Sequence, residues 1–135
     1  MIRAGAGLVA LVLVLAVALA GCSLVPTPWV GAWRLRTVGG DPVAADATMV
    51  LTATDVILET GCNTGAGAYV VSDGKLTLKD VAFTAVGCEG AIGRQDAAFI
   101  ALGNGTASLS VSGATLTIDA GGGQPVLVFD RTSGA

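Results

Sequence analysis

The segment AGAYVVSDGKLTL, residues 66–78, places an Asp-Gly pair between two runs of β-prone residues. Asp73 and Gly74 both accept the positive φ angles that a two-residue hairpin turn requires. The pattern predicts strands over Ala66–Ser72 and Lys75–Leu78, joined as an antiparallel hairpin. We therefore expect a fold built mainly from antiparallel strands.

Short alternating runs continue this pattern on both sides of the hairpin. Trp33, Leu35 and Thr37 alternate with Arg34 and Arg36, which is typical of a half-buried strand. Turn residues separate further predicted strands, which cover residues 48–53, 56–60, 81–86, 107–112, 115–120 and 126–131.

One stretch has a different period. Residues 92–102 carry Ile92, Ala98, Phe99 and Leu102 at helical spacing and stop before Gly103. This pattern predicts one amphipathic helix, placed as a lid or plug on the sheet. Many short strands with one helix favour a closed or nearly closed antiparallel barrel, because closure removes exposed edges.

Residues 1–21 have the organisation of a bacterial export signal. A positive start at Arg3 precedes an apolar run over residues 4–20, and Leu19-Ala20-Gly21-Cys22 ends the run with small residues before a cysteine. This ending resembles the lipobox, which implies lipidation of Cys22 and cleavage before it. An uncleaved transmembrane anchor and a plain signal peptide with a chance cysteine are the alternatives.

The anchor divides the chain into three parts: a lipoprotein signal peptide (1–21), a lipidated cysteine with a tether (22–29) and a folded domain (30–132). Two prolines favour an extended tether, and Trp29 within it is the expected interfacial residue. Two acyl chains give stable membrane anchoring. We expect the protein on the extracytoplasmic face of a cell membrane or outer membrane.

Composition excludes several classes of function. The chain has a formal charge of −3 without a cluster of Lys and Arg, which argues against nucleic-acid binding. It has no histidine, which removes Ser–His and Cys–His catalysis and the commonest metal ligand. Asp55 and Glu59 are interpreted as solvated acids on one face of a strand. We therefore predict no enzyme activity, no catalytic residues, no metal site and no cofactor.

Two cysteines remain if Cys22 carries lipid. Cys62 and Cys88 make one possible disulfide in an oxidising compartment. Two free buried thiols are the alternative at this point.

The residues around these cysteines resemble the META domain, also called the HslJ-like family. Gly61-Cys62-Asn63, followed by Gly65 and Gly67-Ala68-Tyr69, looks like the family signature GCN-x-x-x-G-x-Y. The other residues that match the pattern are Trp33, Leu35, Thr84, Cys88, Phe99, Leu102, Leu127 and Phe129. The resemblance covers Trp29 to Arg131. The sequence departs from the family pattern at Val86-Gly87, where many members have Met-Ala.

The resemblance implies a small lipocalin-like antiparallel β-barrel, or a strongly curved sheet, with one helix. It also implies an envelope protein without a family-wide enzymatic activity. The motif itself is interpreted as structural: Asn63 caps a turn, and Gly65 and Gly67 permit close approach or a bulge in a strand.

The leading hypothesis for function is a non-catalytic, monomeric envelope lipoprotein that binds a protein partner or an apolar ligand in envelope stress tolerance. A protease-inhibitor-like module with an exposed loop and a carboxylate-dependent hydrolase are the alternatives.

Overall fold

The computed structural model describes residues 27–132, which form nine strands and one helix. In chain order these are β1 (Gly31–Val38), β2 (Asp41–Pro42), β3 (Thr48–Leu51), β4 (Asp55–Glu59), β5 (Thr64–Ser72), β6 (Lys75–Phe83), α1 (Gly90–Leu102), β7 (Thr106–Ser112), β8 (Thr115–Asp119) and β9 (Leu127–Arg131). The predicted class, mainly β with one helix, is confirmed.

The sheet closes on itself as an eight-stranded antiparallel barrel. Neighbouring strands pair in chain order from β3 to β9, and β1 closes the ring by pairing with β3 on one side and β9 on the other. The short β2 adds a hairpin to the end of β1. The shortest seam lies between β6 and β7, where only Lys75–Thr77 pairs with Thr106–Ser108.

Alternation along each strand fills the barrel interior with apolar side chains. Trp33, Phe99 and Phe129 are fully buried there, and the rings of Phe99 and Phe129 meet edge to face at 6.0 Å. An eight-stranded barrel is just wide enough for side chains to fill it. The interior is therefore a packed core, which α1 completes with Phe99 and its neighbours.

The two ends of the barrel differ in what covers them. We call the end under α1 the helix end; it contains Glu59 and Thr64, at the turn from β4 to β5. We call the opposite end, where β1 starts at Gly31 beside Leu51, the N-terminal end. Because consecutive strands run in opposite directions, each end contains the starts of alternate strands and the ends of the strands between them.

Arg131 fixes the chain at the N-terminal end. Its guanidinium donates to the carbonyls of Pro28 and Val30 and lies 4.2 Å from the centroid of the Trp33 ring. The Trp33 indole N–H in turn donates to the Trp29 carbonyl at 2.8 Å. Trp29, which the sequence interpretation placed in the tether, is partly buried and packs against the core.

Some predicted boundaries differ from the structure. Residues 75–78 and 81–86 were expected to be separate strands, but Lys75–Phe83 is one strand, β6. A bulge in β6, where Asp80 and Val81 lie opposite the single residue Gly67 of β5, absorbs the irregularity that looked like a break, and Asp80 takes a positive φ of 51° there. The helix begins at Gly90, two residues before the predicted start, and β2 was not predicted. No helix within residues 27–132 is long and apolar enough to cross a membrane.

Replacing Gly67 by alanine is expected to lower the free energy of unfolding by about 1–3 kcal/mol, because overpacked sites force backbone shifts. A Cβ at this position would lie 2.8 Å from the Lys79 carbonyl oxygen and from the Val81 Cα, and backbone atoms cannot swing away. Urea unfolding measures the change. Gly87→Ala is the matched control, since nothing lies within 4 Å of its Cβ, and its change should stay within about 0.5 kcal/mol. Equal urea-unfolding midpoints for the two variants would contradict the close approach of β6 to Gly67.

Candidate functional site

A cluster of buried polar side chains lies at the helix end, centred on Asn63. The Asn63 Oδ1 accepts hydrogen bonds from the Val86 N–H at 2.7 Å and the Thr84 hydroxyl at 2.8 Å. Its Nδ2 donates to the Val86 carbonyl at 3.0 Å and to Asp96 Oδ2 at 3.1 Å. One buried amide thus joins β5, the segment after β6 and α1. We call Thr60, Asn63, Gln95 and Asp96 the Asn63 cluster.

Gln95 and Asp96 attach α1 to the strands below it. The Thr60 hydroxyl donates to Asp96 Oδ1 at 2.5 Å. The Gln95 side chain donates to the Thr60 and Ala45 carbonyls at 2.8 and 2.9 Å and accepts from the Ala44 N–H at 2.9 Å. Every buried side-chain nitrogen and oxygen among residues 27–132 has a partner. Both Asp96 oxygens are therefore occupied in holding the helix.

The turn from β4 to β5 depends on Thr60 and Gly61. The Thr60 hydroxyl accepts from the N–H groups of Cys62 and Asn63 at 3.1 and 2.8 Å. Gly61 has a φ of +94°, and a Cβ there would lie 2.8 Å from Gln95 Nε2. Glycine is required here both by the backbone angle and by the side chain packed above it.

Cys62 and Cys88 are joined in a disulfide, with their Cα atoms 6.4 Å apart. This decides between the bridge and two free thiols, which the sequence left open. The bridge ties the end of the segment that follows β6 to the start of β5. Together with the Asn63 amide it fixes that segment at two points.

This segment, residues 84–89, is exposed although its backbone is fixed, and we call it the 84–89 loop. The Thr84 N–H donates to the Thr64 carbonyl at 2.9 Å, so the loop continues the line of β6 along β5. The Val86 side chain is 60% exposed, more than any other large apolar side chain among residues 27–132. The loop therefore presents an apolar side chain on a rigid, extended backbone.

Acidic side chains do not form a catalytic pair on β4. Asp55 and Glu59 both lie exposed on the outer face of this strand, where the sequence placed them. The surface depression beside the C-terminal end of α1 has a volume of about 230 Å³ and is lined by residues such as Leu102, Asn104 and Gln124, with no titratable side chain among them. Neither place offers the convergent acids that glycoside hydrolysis needs.

Comparison with known families identifies the fold's relatives. The family model of the META domain matches residues 27–133, a range that includes the whole barrel and α1. The chain belongs to the META domain family. The META domain is not a known enzyme family. None of the curated proteins compared with the chain matches it.

Two solved structures resemble this META domain. One is an NMR structure that is 20% identical, with a TM-score of 0.64 over 75% of this chain and 88% of the other. The second is the NMR structure of a protein from Burkholderia xenovorans, 20% identical, with a TM-score of 0.57 over 77% of this chain and 83% of the other. At this identity the likeness concerns the fold alone.

The residues of the META signature lie in four places in the structure. Gly61, Cys62, Asn63, Thr84 and Cys88 meet at the helix end. The core contains Trp33, Phe99 and Leu102, whereas Gly65 lies under the Phe83 ring and Tyr69 points into the N-terminal end. Cys22 lies outside the described residues.

Sequence reasoning missed Thr60, Gln95 and Asp96. Gln95 and Asp96 lie in the first half of the segment that the sequence predicts to be an amphipathic helix, yet both are more than nine-tenths buried. The signal in the sequence was weak: with about 3.6 residues per turn, the three consecutive polar residues Arg94, Gln95 and Asp96 cover more than half a turn, so they do not all fit on one face. Their partners are distant in the chain, so pattern alone could not assign them.

At the opposite end, Tyr69 closes the turn between β3 and β4. Its hydroxyl donates to the Thr52 carbonyl, and its N–H donates to the Thr54 carbonyl at 3.0 Å. Burial raises the pKa of the Tyr69 phenol above its ordinary 10.0, and a hydrogen bond with the Trp29 side chain opposes the rise.

Tyr69 is the one tyrosine of the chain, so its phenolate absorbance reports this site alone. Because the folded pKa is raised, the neutral phenol stabilises the fold below pH about 10, and that stability is lost as the pH rises through the folded pKa. We expect the pH midpoint of the phenolate absorbance titration to be higher for the folded META domain than for the urea-unfolded chain. In Tyr69→Phe this part of the alkaline loss of stability should disappear. Coincident titrations of the folded and unfolded chains would contradict the prediction.

Proposed function

We propose that this protein is a non-catalytic cell-envelope lipoprotein, anchored through lipid on Cys22, whose META domain binds a protein partner. The Cys62–Cys88 disulfide carries the proposal, because structural disulfides persist in oxidising, extracytoplasmic compartments and are rare in the cytosol. The lipobox-like sequence Leu19–Cys22 supplies the anchor in this proposal.

The geometry of the N-terminal end supports a defined orientation. Five peptide steps separate Cys22 from Thr27, which limits their distance to about 18 Å. Arg131 holds Pro28 and Val30 at the N-terminal end of the barrel. A lipid on Cys22 would therefore keep this end near the membrane and leave α1 and the 84–89 loop facing away from it.

The packed interior favours a protein partner over an apolar ligand. Trp33, Phe99 and Phe129 occupy the barrel where a ligand-binding barrel keeps a cavity. The exposed Val86 side chain instead offers apolar surface on the outside. A role in envelope stress tolerance is the physiological part of the proposal, and survival of a strain lacking the protein under heat or detergent tests it.

The 84–89 loop does not favour the protease-inhibitor alternative. A substrate-like inhibitor places the carbonyl of its central residue among the oxyanion-hole donors of the protease. The Val86 carbonyl already accepts a hydrogen bond from Asn63 Nδ2. The Val86 side chain is exposed, but both backbone polar groups of Val86 are hydrogen-bonded to Asn63.

The anchor is tested by expressing the full chain in a bacterium and measuring the mass of the membrane-bound protein. We expect a mature chain that begins at Cys22 and carries diacylglycerol, since the thiol is the acceptor for this group. Cys22→Ser is the matched control and should leave the membrane fraction without lipidated protein. An intact leader, or an unmodified Cys22 thiol in the mature chain, would overturn the proposal.

A further inference from the structure

The 84–89 loop has a second backbone edge, opposite the one held by Asn63 and Thr64. Thr84 and Val86 direct their N–H groups toward β5 and its Asn63 side chain. In an extended chain alternate residues direct these groups to opposite sides. Ala85 and Gly87 therefore direct their N–H and carbonyl groups away from β5.

These outward groups have no partner among residues 27–132. Neither the N–H nor the carbonyl of Ala85 or Gly87 makes a hydrogen bond there, and both residues are exposed. The strand that would cover them is missing, because β7 pairs with β6 only as far as Thr77. A Cβ at Gly87 would have open space around it. The barrel wall thus contains a short free strand edge beside its helix end.

Natural proteins blunt free edges or use them, since an unpaired row of N–H and carbonyl groups is a template for another strand. This edge is made rigid by the Cys62–Cys88 bridge and by both hydrogen bonds between Asn63 and Val86. Because the loop is already ordered, a partner that binds it incurs a smaller entropic cost. The exposed Val86 side chain, between the two outward-facing residues, adds an apolar contact.

We infer that Ala85–Gly87 is a strand-addition site, at which an extended segment of the partner protein pairs antiparallel with the free edge. This rests on the proposed function as a partner-binding domain and names the kind of partner. Main-chain hydrogen bonds would supply affinity, and the side chain opposite Val86 would supply selectivity.

Charge around the edge favours a basic segment over a second copy of the same chain. Glu89 ends the loop and is exposed, whereas Glu59 lies on the far side of β5 from the free edge. In antiparallel pairing centred on Val86, a basic residue of the partner would lie opposite Glu89, whereas a second copy would place its Phe83 there. An extended apolar segment with a lysine or arginine at its ends complements this surface.

The test uses the mature chain, residues 22–135 with Cys22→Ser, labelled with nitrogen-15. The probe is a capped heptapeptide of alternating valine and threonine with a lysine at each end. Without the probe, amide exchange should be slow at Val86 and fast at Ala85 and Gly87. With the probe, the Ala85 and Gly87 amides should shift and become protected. A second peptide with glutamates in place of the lysines should bind more weakly.

Ala85→Pro removes an outward N–H that no described residue uses, and proline is compatible with the extended Thr84 before it. It should weaken peptide binding about tenfold, the effect of losing one or two hydrogen bonds with a steric block. Ala85→Val, which keeps the N–H, is the matched control and should bind like the native chain. Slow exchange at Val86 in both variants shows that the loop keeps its structure.

The inference would be overturned by a lack of protection at Ala85 and Gly87, by protection only at other residues, by equal binding of Ala85→Pro and Ala85→Val, or by a dimer in sedimentation that uses this edge. The assay has no lipid, so its failure is distinguishable from failure of the proposed anchor. A lipidated Cys22 with no peptide pairing would leave the envelope proposal in place and remove only the strand-addition site.

Discussion

Replacing Trp33 by alanine is expected to lower the free energy of unfolding by about 3–5 kcal/mol, because a large cavity replaces a buried aromatic ring. Trp33 has no exposed surface, and its ring lies under the Arg131 guanidinium, 4.2 Å from centroid to Cζ. Its indole N–H also holds the Trp29 carbonyl. The loss approaches the whole stability of a small domain, and urea unfolding followed by circular dichroism measures it.

Trp33→Phe separates the contributions of the ring and the indole N–H. It keeps an aromatic face below Arg131 and loses the hydrogen bond to the Trp29 carbonyl. We expect a loss of about 1–2 kcal/mol, from one hydrogen bond and a smaller void. A loss below 1 kcal/mol for Trp33→Ala itself would show that β1 does not anchor the core as described.

Replacing Asn63 by alanine is expected to cost about 2–4 kcal/mol, because buried groups left without partners are expensive. The change leaves the Thr84 hydroxyl, both backbone groups of Val86 and one Asp96 oxygen without the amide. It should also speed amide exchange at Val86, since the 84–89 loop would then be held only by the disulfide and by the hydrogen bonds between Thr84 and Thr64. Urea unfolding and hydrogen exchange measure the two effects.

Asn63→Asp is an isosteric test of the same site. The carboxylate keeps an acceptor for Val86 and Thr84 but loses the donors to the Val86 carbonyl and Asp96. The introduced carboxylate would lie beside the Asp96 side chain, and repulsion between the two favours the protonated form of the introduced group, so this variant should gain stability as the pH falls from neutral. Thr84→Val, which removes the donor to Asn63 and the acceptor of the Thr64 N–H, should cost about 1–2 kcal/mol. Equal stability of Asn63→Ala and Thr84→Val would show that Asn63 is not the centre of the cluster.

Local signals were sufficient for most of the barrel. The hairpin at Asp73-Gly74 was predicted from turn chemistry, and the structure gives both residues positive φ angles. Alternation in β1 placed Trp33 and Leu35 inside and the arginines outside, as observed. Close approach or a bulge was anticipated from Gly67 itself, but the structure places the extra residue of the bulge in β6, at Asp80 and Val81.

Boundaries failed where tertiary pairing overrode local preference. β6 runs through Lys79 and Asp80, whose charges look like a turn, because β5 pairs with it on both sides of the bulge. Trp29 follows two prolines and looks like a tether, yet Arg131, a hundred residues away, holds its neighbours against the core. Long-range contacts of this kind leave no trace in a local pattern.

The fold class, the hairpins and the residues that face the core could be predicted without the structure, because strand period and turn chemistry are properties of neighbouring residues. The sequence also contained the cysteine pair and the META signature. Two features depend on the closed barrel: the burial of Asn63, Gln95 and Asp96 in one cluster, and the free edge at Ala85 and Gly87. The reason is physical: hydrogen-bond satisfaction depends on which distant groups the closed barrel brings together, and closure is a property of the whole chain.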